Sequence, residues 1–187
     1  YGSIMGIIRK DFRYKLIKNF LSKKELELGS YYFHLKHKRN LSEFDTMQNN
    51  NGDSMFYADC FSETILINKL KLMEKETGLK LLPTYSYTRM YTYNAELKPH
   101  TDRPSCEISA TVKWDSDGTK WPIRINNKNI EMQNGDAVIY LGCEDNHSRD
   151  NFKGDFHLQT FLHYVDSNGP YKEYIFDKRN RKESPEI

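Results

Sequence analysis

The sequence has no apolar run long enough to span a membrane and no hydrophobic signal-peptide core near its N-terminus, so it offers no support for a membrane-spanning or secreted protein. Cysteine is scarce: Cys60, Cys106 and Cys143 form an odd set with no C-x-x-C pair. That argues against a disulfide framework and a zinc ribbon and predicts a reducing, cytoplasmic compartment. Charge of one sign is also lacking, since the formal net charge is only +2, which argues against a nucleic-acid partner. The one local excess, ten Lys/Arg against three Asp/Glu in residues 1–40, reads as a solvated helix face, with a basic patch as the alternative. There is no internal repeat. The chain of 187 residues is long enough for one domain with a real core, and the prediction is a soluble, intracellular protein.

Aromatic residues make up 13% of the chain, a content that suits sheet more than helical bundle. Residues 1–4, YGSI, read as a cloning remnant ahead of Met5, and the domain is expected over 5–176, followed by a charged, fraying tail at 177–187. Ser22-Lys-Lys-Glu25 is a capping-box signature, opening a helix over about 22–37 whose apolar positions are Leu26, Leu28, Tyr31, Tyr32 and Leu35. A second helix is predicted over about 59–77, with Leu66, Leu70 and Met73 on its apolar face and Gly78 as its C-terminal cap. Between them, residues 40–59 are polar and Asn/Gly-rich, which marks either a lid over a site or disorder.

From Leu81 the period changes to two. In TYSYTRMYTYN, Tyr85, Tyr87, Arg89, Tyr91 and Tyr93 fall on one strand face. Further strand-like stretches follow to Asp166, separated by turn signals at 115–118, 126–129 and 134–136. Two helices followed by many short strands predict an α+β fold in which helices buttress a jelly roll.

In an extended segment residues i and i+2 point the same way, so His100 and Asp102 of LKPHTD present a nitrogen and an oxygen to one cavity. Two histidines and a carboxylate form the facial triad of non-haem ferrous iron, which leaves open positions for substrates. H-x-D alone is weak evidence and requires a third ligand. His34 and His37 fall in a lysine-rich helix surface, and His163 lies in apolar FLHYV as a core histidine. His147 follows a Gly-Asp turn and a short apolar strand, so two strand ends can converge there. His147 is the predicted third ligand.

The stretches RMYTYNAELKPHTD, NGDAVIYLGCEDNH and HLQTFLHYVD resemble the Fe(II)- and 2-oxoglutarate-dependent dioxygenases, in particular their prolyl-4-hydroxylase-like branch. The resemblance implies a double-stranded β-helix (a jelly-roll, cupin-like barrel) with its core at about 81–166, binding Fe(II) through His100, Asp102 and His147. It implies hydroxylation of an unactivated C–H bond with 2-oxoglutarate and O2 as co-substrates, releasing succinate and CO2. The expected target is a prolyl or other residue of a peptide, or a small molecule.

In the family a basic residue on the strand after the distal histidine holds the remote carboxylate of 2-oxoglutarate. Here that position carries His157, which departs from the pattern; an exposed strand-edge histidine is the other reading. Tyr91, Arg89 and Lys113 are further candidates for the co-substrate, against ordinary strand packing. Arg103, Arg149 and Trp121 are placed on the pocket rim, where the arginines would steady carboxylates or grip an anionic substrate. Two other readings remain open. One is oxidative demethylation of a nucleic-acid base with the same cofactors, and the other is a non-catalytic jelly roll or a cupin-like site for another metal.

Overall fold

The computed structural model describes residues 14–39 and 53–179. The tetrapeptide at 1–4, the greater part of the 40–59 loop and the end of the 177–187 tail lie outside them.

In chain order the elements are β1 (Tyr14–Ile17), α1 (Lys23–Lys38), β2 (Ser54–Tyr57), α2 (Cys60–Asn68), α3 (Leu70–Thr77), β3 (Leu81–Thr92), β4 (Leu97–His100), β5 (Ile108–Ser116), β6 (Ile123–Ile125), β7 (Lys128–Ile130), β8 (Ala137–Tyr140), β9 (His147–Arg149) and β10 (Phe156–Asp166). All the strand pairs are antiparallel. A six-stranded sheet runs β1-β8-β5-β10-β3-β2 and a four-stranded sheet runs β4-β9-β6-β7. Together they form the double-stranded β-helix, with the helices on the outer face of the larger sheet. No described helix is long and apolar enough to cross a membrane.

The helices are anchored by side chains the sequence made visible. Ser22 Oγ accepts from Glu25 N–H (3.3 Å) while Glu25 accepts from Ser22 N–H (2.7 Å), closing the capping box. The buried face of α1 differs from the expected one. Leu28, Tyr31 and Leu35 are 63%, 70% and 52% exposed, whereas Gly29 and Phe33 are buried. The cause is Trp114 on β5, whose ring lies so close that a Cβ on Gly29 would sit 2.2 Å from it. Only glycine lets the indole approach the helix, so the helix turns its Gly29–Phe33 side inward.

The single helix expected over 59–77 is two, broken at Lys69, whose ammonium reaches back to both Glu25 oxygens at 2.9 and 2.7 Å. Asp59 caps α2 through Phe61 N–H (2.9 Å). Residues 53–59, read as part of a loop, instead contain edge strand β2, which pairs with β3 from Ser54↔Met90 to Tyr57↔Tyr87. The core between helices and sheet includes Phe33, Leu66, Met73, Val112, Trp114 and Leu162. Each fully buried Leu or Phe there stabilises by about 1.5–3 kcal/mol.

The two faces of β3 separate packing from chemistry. Ser86 and Met90 face the helices, where Ser86 N–H and hydroxyl donate to Glu63 (2.7 and 2.8 Å). Tyr85, Tyr87 and Tyr91 face the barrel interior, not the helices.

Candidate metal centre and its cavity

β4 pairs with β9 so that His100 and His147 are direct Cα partners. Their ring centroids lie 4.3 Å apart. Asp102 follows, fixed by its own N–H donating to Gly142 carbonyl (2.8 Å). A Cβ on Gly142 would lie 2.2 Å from Cys106 carbonyl and 3.0 Å from the Asp102 carboxylate, so a glycine is needed where this turn passes the site. One ligand atom from each of His100, Asp102 and His147 lies within 4.8 Å of the others.

The tautomers suit a metal. Nδ1 of His100 faces Lys98 carbonyl (2.7 Å) and Nδ1 of His147 faces Asp145 carbonyl (2.9 Å). A carbonyl can only accept, so each Nδ1 carries the hydrogen and each Nε2 keeps its lone pair. The two Nε2 atoms sit 3.4 Å from opposite oxygens of Asp102. Burial pushes the Asp102 carboxyl up, but without a metal either ring, once protonated, donates from Nε2 to Asp102, and this pairing outweighs burial and holds the group well below the usual carboxylate range. The hydrogen bond to Asp102 raises the His100 imidazole against the effect of burial. With the rings neutral, an ionised carboxylate and two Nε2 lone pairs form a donor set that fits a divalent first-row metal.

The triad lines a cavity of about 370 Å³, in the size range of small-molecule sites. Tyr85, Tyr87, Tyr91, Tyr140, Phe161 and His163 supply its inner walls, and Met55 and Tyr57 of β2 supply another. None of these was a site residue by sequence except Tyr91. For Tyr85, Tyr87, Phe161 and His163 the signal was the period of two in β3 and β10, which places alternate residues on the barrel interior. His163, expected in the core, is buried and also lines the cavity. Its Nδ1 contacts Ser109 Oγ (2.8 Å), and burial pushes its pKa down to about 4.

The other sequence candidates divide. Arg103 lies at the cavity, stacked on Tyr85 and bidentate to Asp177 at 2.8 and 2.7 Å. Of the tail expected to fray from Asp177, the described residues 177–179 are held by that pairing and through Arg179 to Glu63 (2.7 Å). Arg89 is buried and ion-paired to Asp53 (2.8 Å). Lys113 is half-buried, donating to Met132 carbonyl (3.3 Å).

Arg149 and Trp121 are interior residues, not rim residues. Both are buried, the guanidinium stacks on the indole at 4.6 Å, and Arg149 Nη1 donates to Trp121 carbonyl. Burial lowers the Arg149 pKa to about 10. His157 is buried rather than on an exposed edge, against Trp121 and Phe152. Burial, then the nearby Arg149 and Lys113 charges, hold its pKa well below the ordinary histidine value.

No family model matches the sequence, and a search of curated proteins finds no match. Solved structures do match. A prolyl hydroxylase from Trichoplax adhaerens, in complex with a hypoxia inducible factor peptide fragment, superposes with a TM-score of 0.68 at 11% identity, covering 94% of this chain and 93% of that one. The chain has the fold of the 2-oxoglutarate- and iron-dependent oxygenases. A Pseudomonas putida prolyl-4-hydroxylase gives a TM-score of 0.63 at 14% identity, over 87% of this chain and 98% of the other. The epimerase SnoN, in complex with Fe3+, alpha ketoglutarate and nogalamycin RO, gives 0.65 at 11% identity, over 89% and 85%. Proteins of this one fold therefore hold a peptide in one case and a small molecule in another. At such identities the likeness is one of fold.

Proposed function

We propose that the protein is an Fe(II)- and 2-oxoglutarate-dependent dioxygenase that hydroxylates an unactivated C–H bond, on a peptide or protein residue in the manner of prolyl hydroxylases. The observation that carries this reading is the convergence of the two Nε2 lone pairs and the Asp102 carboxylate at one wall of an aromatic cavity. Iron held by this triad would supply the coupled reaction in which substrate, 2-oxoglutarate and O2 become the alcohol, succinate and CO2. The chain's own contribution is positional. His100, Asp102 and His147 would hold the metal at the wall of the cavity they line. The tyrosines of β3, with Phe161 and Tyr140, make the compartment water-poor, which protects a reactive centre. The cavity mouth beside Met55, Tyr57 and Arg103 is where a substrate side chain would enter. No side chain is required as a general base.

The test is an anaerobic titration of purified protein with Fe(II) and then 2-oxoglutarate, following the visible metal-to-ligand charge-transfer absorption. A band that forms in the wild type and is lost in His100→Ala and His147→Ala supports the reading. Iron bound without a band on adding 2-oxoglutarate rejects it.

A further inference from the structure

Beside the triad lies a group of buried polar atoms that the metal does not use. Among the described residues, Nε and Nη2 of Arg149, both ring nitrogens of His157, and the hydroxyls of Tyr91, Tyr140 and Thr111 have no hydrogen-bond partner. These residues share one interior. Arg149 is two residues from His147 on β9 and points to the same side. Its cross-strand partner Leu97 lines the cavity, as do Tyr91 and Tyr140. His157 is the Cα partner of Tyr91. Trp121 joins them, with its ring under Arg149 (4.6 Å) and edge-on to Tyr91 (5.0 Å) and His157 (5.1 Å).

Such a group is costly as it stands. A guanidinium that is 2% exposed and has no carboxylate partner among the described residues carries a large desolvation penalty. Its one hydrogen bond, to Trp121 carbonyl, leaves two donors aimed at nothing. A carboxylate beside it would accept from the free nitrogens, and phenol donors from Tyr91 and Tyr140 would complete its shell.

Resting on the function proposed above, we propose that Arg149 supplies the positive charge that grips the remote carboxylate of the 2-oxo dicarboxylate, from the strand of the distal histidine. His157, on the opposite wall, is then a neutral part of the same compartment. The charge that the related fold was expected to carry on β10 has moved across the barrel to β9. The neutral state of His157 has a physical source, since its ring is packed among Trp121 and Phe152 with two cations nearby. In the ligand-free chain His157 is thus held neutral, whereas Arg149 is cationic and has the planar fork that matches a carboxylate.

The experiment compares two acids on the Fe(II)-loaded protein without oxygen: 2-oxoglutarate, and 2-oxopentanoate, which has the same chelating head but ends in a methyl group. Affinities are read from the charge-transfer absorption. The wild type is expected to prefer 2-oxoglutarate. Arg149→Gln is expected to lose roughly 10- to 100-fold in affinity for 2-oxoglutarate with little change for 2-oxopentanoate. His157→Gln should keep the wild-type preference. The double variant Arg149→Gln/His157→Lys restores a cation from the other wall and should recover part of the preference, which also shows that loss in the single variant is not misfolding. Equal weakening of both acids in Arg149→Gln would make the arginine a brace for Trp121 and overturn the proposal. So would a preference lost in His157→Gln alone. A wild type that binds iron but neither acid would reject the proposed function itself, and this inference with it.

Discussion

His100 and His147 stand directly opposite each other across the β4–β9 ladder, Cα partner to Cα partner. Two imidazoles distant in sequence are thereby aimed at one point by backbone register alone. A slip of one residue in either strand would turn one ring to the other face. With both Nδ1 hydrogens held by carbonyls, the rings are also fixed in rotation. A site built this way is rigid before any ligand arrives.

It follows that a divalent metal should stabilise the folded chain. Mn(II) or anaerobic Fe(II) at about 100 times its dissociation constant contributes about 2.7 kcal/mol. For a domain of this size that is a rise in thermal midpoint of roughly 5–10 °C. The rise should be reversed by a chelator and absent in Asp102→Ala and His147→Ala. A rise that persists in both variants would place the metal elsewhere.

Gly29→Ala tests which face of α1 is buried. On helix propensity alone alanine should stabilise by about 1 kcal/mol. The Trp114 ring, 2.2 Å from where the new methyl would lie, predicts the opposite. Urea unfolding should show a loss of about 1–3 kcal/mol from overpacking. Trp114→Phe in the Gly29→Ala background should cost less than it does in the wild type, because the smaller ring makes room. A stabilised Gly29→Ala variant would contradict the packing of α1 on β5.

Much of this architecture could be read directly, because its signals are local. The capping box at Ser22–Glu25 and the alternation from Tyr85 to Tyr91 depend on neighbours within a few residues. So does the pairing of His100 with Asp102. What could not be read depends on partners far along the chain. The apolar stripe Leu28-Tyr31-Leu35 has helical spacing, yet Trp114, distant in sequence, selects the other face. β2 sits in a polar stretch because an edge strand needs only one partner, here β3. Arg149, two residues past His147, reads in the sequence as a residue of the pocket rim. Its burial follows from the i, i+2 relation to His147, a relation visible in the sequence once that histidine is placed inside the barrel.

Two buried histidines make the fold acid-sensitive in a definite window. His163 titrates at about 4 in the folded chain because burial disfavours its charged form, and His157 is also held well below its ordinary value. An unfolded histidine takes up a proton near pH 6.5. Below that pH the unfolded state therefore binds more protons than the folded state, and stability falls as pH drops from about 6.5 towards 4. For His163 alone the loss approaches about 3 kcal/mol at the acid end. Urea midpoints measured with chelator present should decline across this window in the wild type and less steeply in His163→Gln. Identical slopes in the two proteins would mean that the imidazole is protonated in place.

The segment beside the cavity mouth should be released by a single change at Asp177. Phe176, Asp177 and Lys178 all have positive φ (49°, 55° and 58°), a left-handed run that costs non-glycine residues roughly 1–2 kcal/mol each. Something must hold them there, and the carboxylate of Asp177 does so by accepting both nitrogens of Arg103 and the Tyr57 hydroxyl. These hydrogen bonds hold the Asp177 carboxyl below the ordinary value against the effect of burial. The tether is therefore complete above about pH 4 and is lost as pH falls through the depressed pKa. Asp177→Ala should speed hydrogen exchange of the amides in 171–179 and expose Lys178 and Arg179 to trypsin. Global stability should fall by no more than about 1 kcal/mol, because Arg103 is half exposed and water screens its pair. The same variant frees the Arg103 guanidinium at the cavity mouth. Unchanged exchange in Asp177→Ala would show that Arg179, through Glu63 and Thr84 carbonyl, holds the segment by itself.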